Sequence, residues 1–290
     1  MKLPPFEYHL ADSVDDAIGL LAELGEDAKV LAGGQSLIPL LSFRLARPAH
    51  LIDVNPVAEL AYISDGSGVE IGATVRHRDA ERSEAVRAAA PLVAAALGYV
   101  GHAAIRNRGT VGGSIAHADP AAELPAVLVA LGGEVVVRST RGLRTIAADA
   151  FQQGFLTTAL EPDELLTAIR LPPRRASTGW AFNEFSRRHG DFAIIGVATL
   201  IGLGADGRVD DAHLVFSGAG ATPVRAVGAE QAMIGEAPSA ELWTAVAAQA
   251  ASALDPPGDV HGSPAYRRQL ARVLAARSLQ EAYVRAKGAR

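Results

Sequence analysis

The most informative stretch of the chain is Ile105-Arg-Asn-Arg-Gly-Thr-Val-Gly-Gly-Ser-Ile-Ala-His-Ala-Asp-Pro-Ala-Ala-Glu-Leu-Pro125. Its glycines, Gly109, Gly112 and Gly113, permit positive φ and let a ligand approach the backbone closely. Asp119-Pro120 is typical of a helix start, with Asp as N-cap and Pro in the first turn. The stretch therefore predicts a tight turn, a short strand and then a helix, with a backbone that a phosphate or cofactor can reach.

A second glycine-rich turn, Gly33-Gly-Gln-Ser36, lies upstream. A buried strand is predicted before it, over residues 29–32. A helix is predicted after it, over residues 37–45, with Pro39 in the first turn. Backbone N–H groups converge where a strand passes through glycines into a helix, and such a turn can bind phosphate. Taken alone, these residues are equally compatible with a phosphate site and with an ordinary strand-to-helix connection.

The predicted elements divide the chain into regions of different type. Helix and strand alternate up to residue 54, which is an α/β pattern, and the short strands that follow indicate an antiparallel sheet. The run 172–179, Pro-Pro-Arg-Arg-Ala-Ser-Thr-Gly, predicts a linker, and beyond it three strands precede three helices, as in α+β domains. The predicted strands are 29–32, 51–54, 134–138, 143–147, 165–171, 180–188, 193–203 and 208–218, and a new segment starts at 69–73. The predicted helices are 14–24, 37–45, 84–100, 119–131, 226–234, 240–254 and 264–286.

Composition excludes several classes of function. The net charge of −5 provides no basic field for nucleic acid. The 290 residues contain no cysteine, so this chain cannot hold a disulfide, a cysteine-ligated zinc, an iron–sulfur cluster or a thiolate nucleophile. No apolar run reaches the roughly 18 residues of a membrane span, and the N-terminus lacks an apolar signal core. We therefore expect a soluble, cytoplasmic protein.

Familiar nucleotide and metal motifs fit the chain poorly. Gly202-Leu-Gly-Ala-Asp-Gly207 has dinucleotide-motif spacing, but that motif needs a helix, whereas Asp206-Gly207 is typical of a hairpin turn. No lysine follows either glycine-rich turn, as a P-loop would require. The eight histidines contain no i,i+4 pair, so their spacing predicts no metal site. No acid–base or nucleophilic constellation emerges, and we expect no catalytic residue.

The two glycine-rich turns both precede the predicted linker. Each offers backbone donors and little side chain. A ligand with two phosphates, extended between two subdomains, would contact both turns. The residues thus predict a dinucleotide site without specifying which dinucleotide.

Four blocks of sequence resemble one family. They lie at residues 32–39, 105–114, 119–123 and 185–193, and they are similar in type and order to the FAD-binding medium subunit of molybdenum hydroxylases, the family of carbon monoxide dehydrogenase and xanthine dehydrogenase. The resemblance implies an α+β fold. Residues 1–176 would form a two-lobed FAD-binding domain of the PCMH type, with lobes at 1–57 and 58–176. Residues 177–290 would form an antiparallel three-stranded sheet with a three-helix bundle.

The resemblance also implies where FAD binds. The first turn would wrap the pyrophosphate, and the second would form the opposite wall. Glu123 would hydrogen-bond cofactor hydroxyls, and Leu166 would pack on the flavin. Several relatives carry a lysine just before the Ser186-Arg-Arg run, where this chain has Asn183-Glu184, so we expect a cationic contact to be missing. The implied cofactor-binding residues are Lys29, Val30, Leu31, Ala32, Gly33, Gly34, Gln35, Ser36, Leu37, Val100, Gly101, Ile105, Thr110, Gly112, Gly113, Ser114, Glu123 and Leu166.

The function implied by the resemblance is electron transfer. This chain would carry FAD, take electrons from iron–sulfur clusters of a small partner subunit and pass them to an acceptor. A large partner subunit would hold the molybdenum cofactor, and the complex would be a dimer of heterotrimers. Two alternatives remain open at this point: a stand-alone FAD-dependent oxidoreductase, and a non-redox nucleotide-binding protein.

Overall fold

The computed structural model describes residues 2–288 and begins with a small parallel sheet of three strands. Its strand order is β1-β3-β2, with β3 paired in parallel to both neighbours. Helix α1 packs its buried face on this sheet and is capped by Ser13, which accepts from the Asp16 N–H, as its sequence predicts. The elements are β1 (Glu7–Leu10), α1 (Val14–Leu24), β2 (Ala28–Leu31), α2 (Leu37–Ser42) and β3 (His50–Asp53).

The second region is built on a five-stranded antiparallel sheet in the order β4-β5-β10-β6-β7. A two-stranded hairpin, β8–β9, stands apart from it. The strands are β4 (Ile63–Gly66), β5 (Gly68–Gly72), β6 (Glu134–Ser139), β7 (Gly142–Ala147), β8 (Gln152–Gly154), β9 (Thr157–Thr158) and β10 (Leu165–Leu171). The helices are α3 (His77–Arg82), α4 (Glu84–Ala89), α5 (Pro91–Leu97), α6 (Ala103–Arg106), α7 (Val111–His117), α8 (Glu123–Ala130) and α9 (Ala148–Phe151).

The third region is an antiparallel sheet followed by helices. The expected three strands are present, and a two-residue strand adds to their edge, giving the order β11-β12-β13-β14. Strand β12 matches its predicted bounds. The elements are β11 (Thr178–Ser186), β12 (Ala193–Leu203), β13 (Val209–Ser217), β14 (Val224–Arg225), α10 (Val227–Gln231), α11 (Ala240–Ala253) and α12 (Pro264–Gly288).

The third sheet is covered on both faces. One face, with Phe182 and Leu200, completes the apolar core beneath α5 and α8 of the second region. The other, with Ile195 and Phe216, packs against α11 and α12. Every residue of β12 is buried, which explains why it appears in sequence as a continuous apolar run.

The stretch at residues 105–125 differs from its prediction. The expected strand after the glycines is helix α7, capped by Thr110, which accepts from the Gly113 N–H. The helix expected to start at Asp119-Pro120 starts at Glu123, and the Asp119 carboxylate instead accepts from the Ala121 N–H. The glycines leave no apolar periodicity by which a helix could be recognised. The low helix propensity of glycine therefore led to the prediction of a strand.

Two further boundaries are corrected. The helix predicted over residues 84–100 is broken at Ala90, because Pro91 restricts the residue before it and starts α5 afresh. The predicted linker 172–179 is two residues too long, because β11 already begins at Thr178. Gly179 lies directly against α12, where an added Cβ would come within 1.8 Å of the Ala282 carbonyl oxygen.

Two exclusions made from the sequence agree with the structure. The segment after Gly207 is strand β13 and not a helix, so the dinucleotide motif is absent at that position. Among residues 2–288, no helix is long and apolar enough to cross a membrane.

Candidate functional site

A cavity of ≈ 830 Å³ lies where the first and second regions meet. The two glycine-rich turns touch each other at its wall. A Cβ added to Gly33 would lie 2.5 Å from the Arg108 carbonyl oxygen and 2.8 Å from the Gly109 Cα. The cavity is within the size range of pockets that bind small molecules and cofactors. The predicted convergence of the two turns is therefore a feature of the fold.

The first turn offers the free backbone donors that the sequence predicts. None of the N–H groups of residues 33–37 donates to an acceptor within the described chain, although all five residues line the cavity. Gly34 has a φ of 71°, which glycine adopts without strain. The Asn55 amide holds the turn from behind by donating to the Ala32 carbonyl at 2.7 Å. A row of unpaired N–H groups is suited to an anionic ligand.

The second turn differs, because its backbone donors are already engaged. The N–H groups of Val111 and Gly112 donate to the carbonyls of Val75 and Ala73, each at 3.0 Å. Those of Gly113 and Ser114 donate to Thr110, the first to its hydroxyl and the second to its carbonyl. Gly112 is buried and lies against Ala73. This turn therefore presents side-chain hydroxyls and close backbone surface, where the sequence led us to expect free N–H groups.

The predicted site residues are brought together with one exception. All of them line the cavity apart from Leu31, which does not. The members that line it are Lys29, Val30, Ala32, Gly33, Gly34, Gln35, Ser36, Leu37, Val100, Gly101, Ile105, Thr110, Gly112, Gly113, Ser114, Glu123 and Leu166.

Three groups are prominent among the lining residues that the sequence analysis did not predict. The loop Gly190-Asp191-Phe192 reaches the cavity from the third region, and the segment around hairpin β8–β9 supplies residues 156–158 and 160–162. His77 lies at the start of α3. The loop falls within a sequence block that resembles the family, which was the available signal. The hairpin and His77 carry no local signal.

His77 is a buried histidine whose backbone N–H donates to the Gly109 carbonyl but whose ring nitrogens have no hydrogen-bond partner in the described chain. It is 5% exposed. Burial lowers its pKa to about 4, the nearby Thr110 backbone opposes this shift, and the charges of Arg106 and Arg76 add to it. The imidazole is therefore neutral at pH 7. An unpaired polar ring on a cavity wall, beside two arginines, indicates that this wall accommodates a polar or anionic ligand group.

Glu123 is a buried carboxyl group on the same cavity. It is 7% exposed and receives no hydrogen bond from another residue of the described chain. Burial raises its pKa to about 7, although its own backbone N–H opposes the shift. A carboxyl group in this state can both donate to and accept from ligand hydroxyls.

Glu184 is a second carboxyl group with a raised pKa, and it is half-buried near Glu123. Its Oε2 is enclosed and unpartnered, and burial raises its pKa to about 9, with the Glu123 charge adding to the effect. Asn183, its neighbour on β11, donates instead to Glu281 at 3.4 Å. Residues 183–184, where the sequence analysis expected a cationic contact to be missing, thus place a protonated carboxyl group near Glu123.

Replacing Glu184 with glutamine should raise the stability of the chain at alkaline pH. The folded state keeps a proton on Glu184 up to about pH 9, whereas the unfolded chain releases it near the ordinary value of 4.5. The free energy of unfolding therefore falls as pH rises between these values. Glutamine is neutral in both states and takes up no proton on folding, so we expect Glu184→Gln to gain roughly 1–3 kcal/mol at pH 8 and to show a flatter profile above pH 7.

Urea unfolding at pH 5, 7 and 8 measures this effect. Glu23→Gln, on the exposed face of α1, is the matched control and should leave the profile unchanged. An equal pH slope in Glu184→Gln and the parent chain would contradict the assignment.

The combined chemistry of the cavity fits an elongated dinucleotide. The unpaired N–H groups of the first turn suit phosphate oxygens. The Glu123 carboxyl group suits hydroxyls, and apolar side chains such as Ile105 and Leu166 suit a ring system. The close approach at Gly33 leaves room for backbone and ligand but for no side chain.

Comparison with known proteins identifies the family. Residues 4–174 match the FAD binding domain in molybdopterin dehydrogenase, and residues 180–282 match the CO dehydrogenase flavoprotein C-terminal domain. The 6-hydroxypseudooxynicotine dehydrogenase complex subunit alpha of Paenarthrobacter nicotinovorans is 42% identical over 99% of this chain and 97% of its own length. The carbon monoxide dehydrogenase medium chain of Hydrogenophaga pseudoflava is 37% identical over 97% and 98%.

A solved structure of the H. pseudoflava carbon monoxide dehydrogenase, in a form lacking the Mo-pyranopterin moiety of the molybdenum cofactor, superposes with a TM-score of 0.95. It is 39% identical over 98% of this chain and 99% of that chain. Together with the two domain matches, this likeness confirms the expected fold and cofactor class. The chain belongs to the family of FAD-binding flavoprotein subunits of molybdopterin dehydrogenases and is a subunit of an oxidoreductase.

Proposed function

We propose that this chain transfers electrons through an FAD bound in the cavity between the two glycine-rich turns. The observation that carries the proposal is the run of unpaired N–H groups at residues 33–37, held against the Arg108–Gly109 backbone. Pairing these donors with the cofactor's pyrophosphate would satisfy them without any lysine or metal ion.

The remaining walls have complementary roles in this proposal. Thr110 and Ser114 line the cavity and would offer their hydroxyls to the cofactor, while Gly112 and Gly113 would allow close approach. Glu123 would bond cofactor hydroxyls. Val100, Gly101, Ile105 and Leu166 would contact the adenine and flavin rings. Leu31 acts from behind the wall, as part of strand β2, by positioning the turn that follows.

The role of the protein in the transfer is to bind and orient the cofactor. When bound, FAD supplies exchange of either one or two electrons. The apolar walls exclude water, and the neutral carboxyl groups of Glu123 and Glu184 add no negative charge at pH values below their pKa values. No side chain of this chain is required as a nucleophile, acid or base.

The partners in the proposal follow from what this chain lacks and what its relatives are called. It has no cysteine to ligate iron–sulfur clusters, and its relatives are named as a complex subunit and a medium chain. We place the clusters on a small subunit and the molybdenum cofactor on a large one, in a dimer of heterotrimers. We also divide the chain into an FAD-binding domain at 1–176, with lobes 1–57 and 58–176, and a C-terminal domain at 177–290. The family matches at 4–174 and 180–282 support that division.

Expression with and without genes for the proposed large and small subunits tests the proposal. We expect the assembled complex to contain one FAD per copy of this chain, bleached when the complex oxidises its substrate under anaerobic conditions and restored by an electron acceptor. Flavin absorbance gives both readings.

The alternatives give different results. Substrate turnover by the lone chain with FAD would favour a stand-alone oxidoreductase. A folded chain that takes up no FAD, alone or in the complex, would refute both flavin-based functions and favour a non-redox nucleotide-binding role.

A further inference from the structure

Strand pairing in the first sheet creates a cluster that is invisible in the sequence. Glu7 and His9 are two residues apart on β1, so their side chains lie on the same face. His50 on β3 is in register with Glu7. The His9 Nε2 lies 3.1 Å from the His50 Nδ1, and the latter lies 3.5 Å from the Glu7 Oε2. Helical i,i+4 spacing could not reveal this arrangement, because its members come from neighbouring strands.

We propose that Glu7, His9 and His50 form a site for a divalent transition-metal ion of the zinc class. Two ligand atoms bound to one tetrahedral zinc at its usual bond lengths are about 3.3 Å apart. The two measured separations lie on either side of that value. All three ligand atoms also lie within 4.8 Å of one another.

The ligand set determines the class of ion. Two imidazole nitrogens and one carboxylate oxygen suit zinc, nickel, cobalt or copper, whereas magnesium and calcium prefer oxygen ligands throughout. His9 binds through Nε2 and His50 through Nδ1, so each ring carries its proton on the other nitrogen. Water completes the coordination, since the Glu7 side chain is 75% exposed and the site is open on that side.

The site has a mechanical role in the first region. Strand β1 is an edge strand of four residues that pairs only with β3. A metal ion held by residues of both strands ties this edge to the centre of the sheet. Strand β3 also pairs with β2, which leads into the first glycine-rich turn. Metal binding thus stabilises the support of that turn without touching the cavity.

Zinc titration of the complete protein, purified through a chelator, tests the proposal. The parent chain should bind one equivalent of zinc that His9→Ala and His50→Ala lose, and added zinc should raise its melting temperature but not theirs. Glu7→Gln should bind zinc more weakly, because a neutral amide oxygen is a poorer ligand for the ion than a carboxylate. Because Glu7 is largely exposed, this variant keeps the fold and makes the test independent of variants that fold poorly.

His189→Ala is the matched control, because it removes a histidine from a second ring pair, His102 and His189, whose centroids are 6.2 Å apart. It should bind zinc as the parent does. Cobalt in place of zinc should give the visible absorption of a four-coordinate ion. If the parent binds no more zinc than His9→Ala, the two imidazoles form only a hydrogen bond with each other and the site does not exist.

Discussion

Gly33→Ala should strip FAD from the assembled complex. The added methyl group would lie 2.5 Å from the Arg108 carbonyl oxygen, a separation that real Cβ atoms do not adopt. That carbonyl cannot simply move away, because it accepts a hydrogen bond of 2.6 Å from Arg76. The first turn must therefore shift relative to the second, and its free N–H groups shift with it.

The expected loss is large because two effects combine. Overpacking of close contacts costs roughly 1–3 kcal/mol of stability. Displacement of several donors from one ligand also weakens binding, and each 1.4 kcal/mol of lost affinity is about tenfold in Kd. The flavin-to-protein absorbance ratio and the melting temperature report the two effects separately.

Gly19→Ala is the matched control for this substitution. Gly19 lies inside helix α1, where an added Cβ meets no atom within 4 Å. Alanine in a helix interior should raise stability by roughly 0.5–1 kcal/mol and leave the flavin content unchanged. Full flavin content in Gly33→Ala would show that the two turns do not clamp the cofactor.

Arg267→Met should destabilise the chain by about 3 kcal/mol, because it leaves two buried carbonyls without a donor. Arg267 is 5% exposed on α12, and its guanidinium donates to the Ile194 carbonyl at 2.5 Å and the Gly218 carbonyl at 3.3 Å. It also pairs with Asp259 at 2.6 Å. Methionine fills much of the space but leaves the two buried carbonyls without their donor, which is the costly part of the change. Asp259, whose side chain is 45% exposed, can turn to water instead.

The neighbouring arginine provides the control for Arg267. Arg268 pairs with Asp255, whose side chain is 97% exposed, so this ion pair is solvated. Arg268→Met should cost less than about 1 kcal/mol. Urea unfolding of both variants measures the difference, and equal losses would mean that burial does not distinguish the two ion pairs.

The sequence predicted the helices and strands correctly where the order of apolar and polar side chains marks them. Strands β10 and β12 match their predicted bounds because mostly apolar runs, broken only by single polar residues or glycines, mark them. Strands β1 and β4 were missed because both are short and largely exposed, so they show little hydrophobic alternation. Helix α7 was predicted as a strand because its glycines show no periodicity, and its cap depends on Thr110.

The site was predictable to the extent that glycine marks it. The turn at residues 33–36 was identified from sequence because its strand and helix neighbours are local. The occupied donors at Gly112 depend on Ala73, far away in sequence, and no local pattern reports such a contact. The family resemblance identified Glu123 and Leu166 as site residues. His77 and the β8–β9 hairpin could be assigned to the cavity only from the three-dimensional structure.

Because the third sheet is covered on both faces, it limits which C-terminal regions can be recombined between members of this family. Phe182 and Leu200 belong to the C-terminal half of the sequence but complete a core made mostly by the other half. A C-terminal half recombined from a distant relative would therefore have to bring matching partners for α5 and α8. The C-terminal region is continuous in sequence, but its sheet shares a core with α5 and α8. The residues that must change together in evolution therefore extend beyond that region.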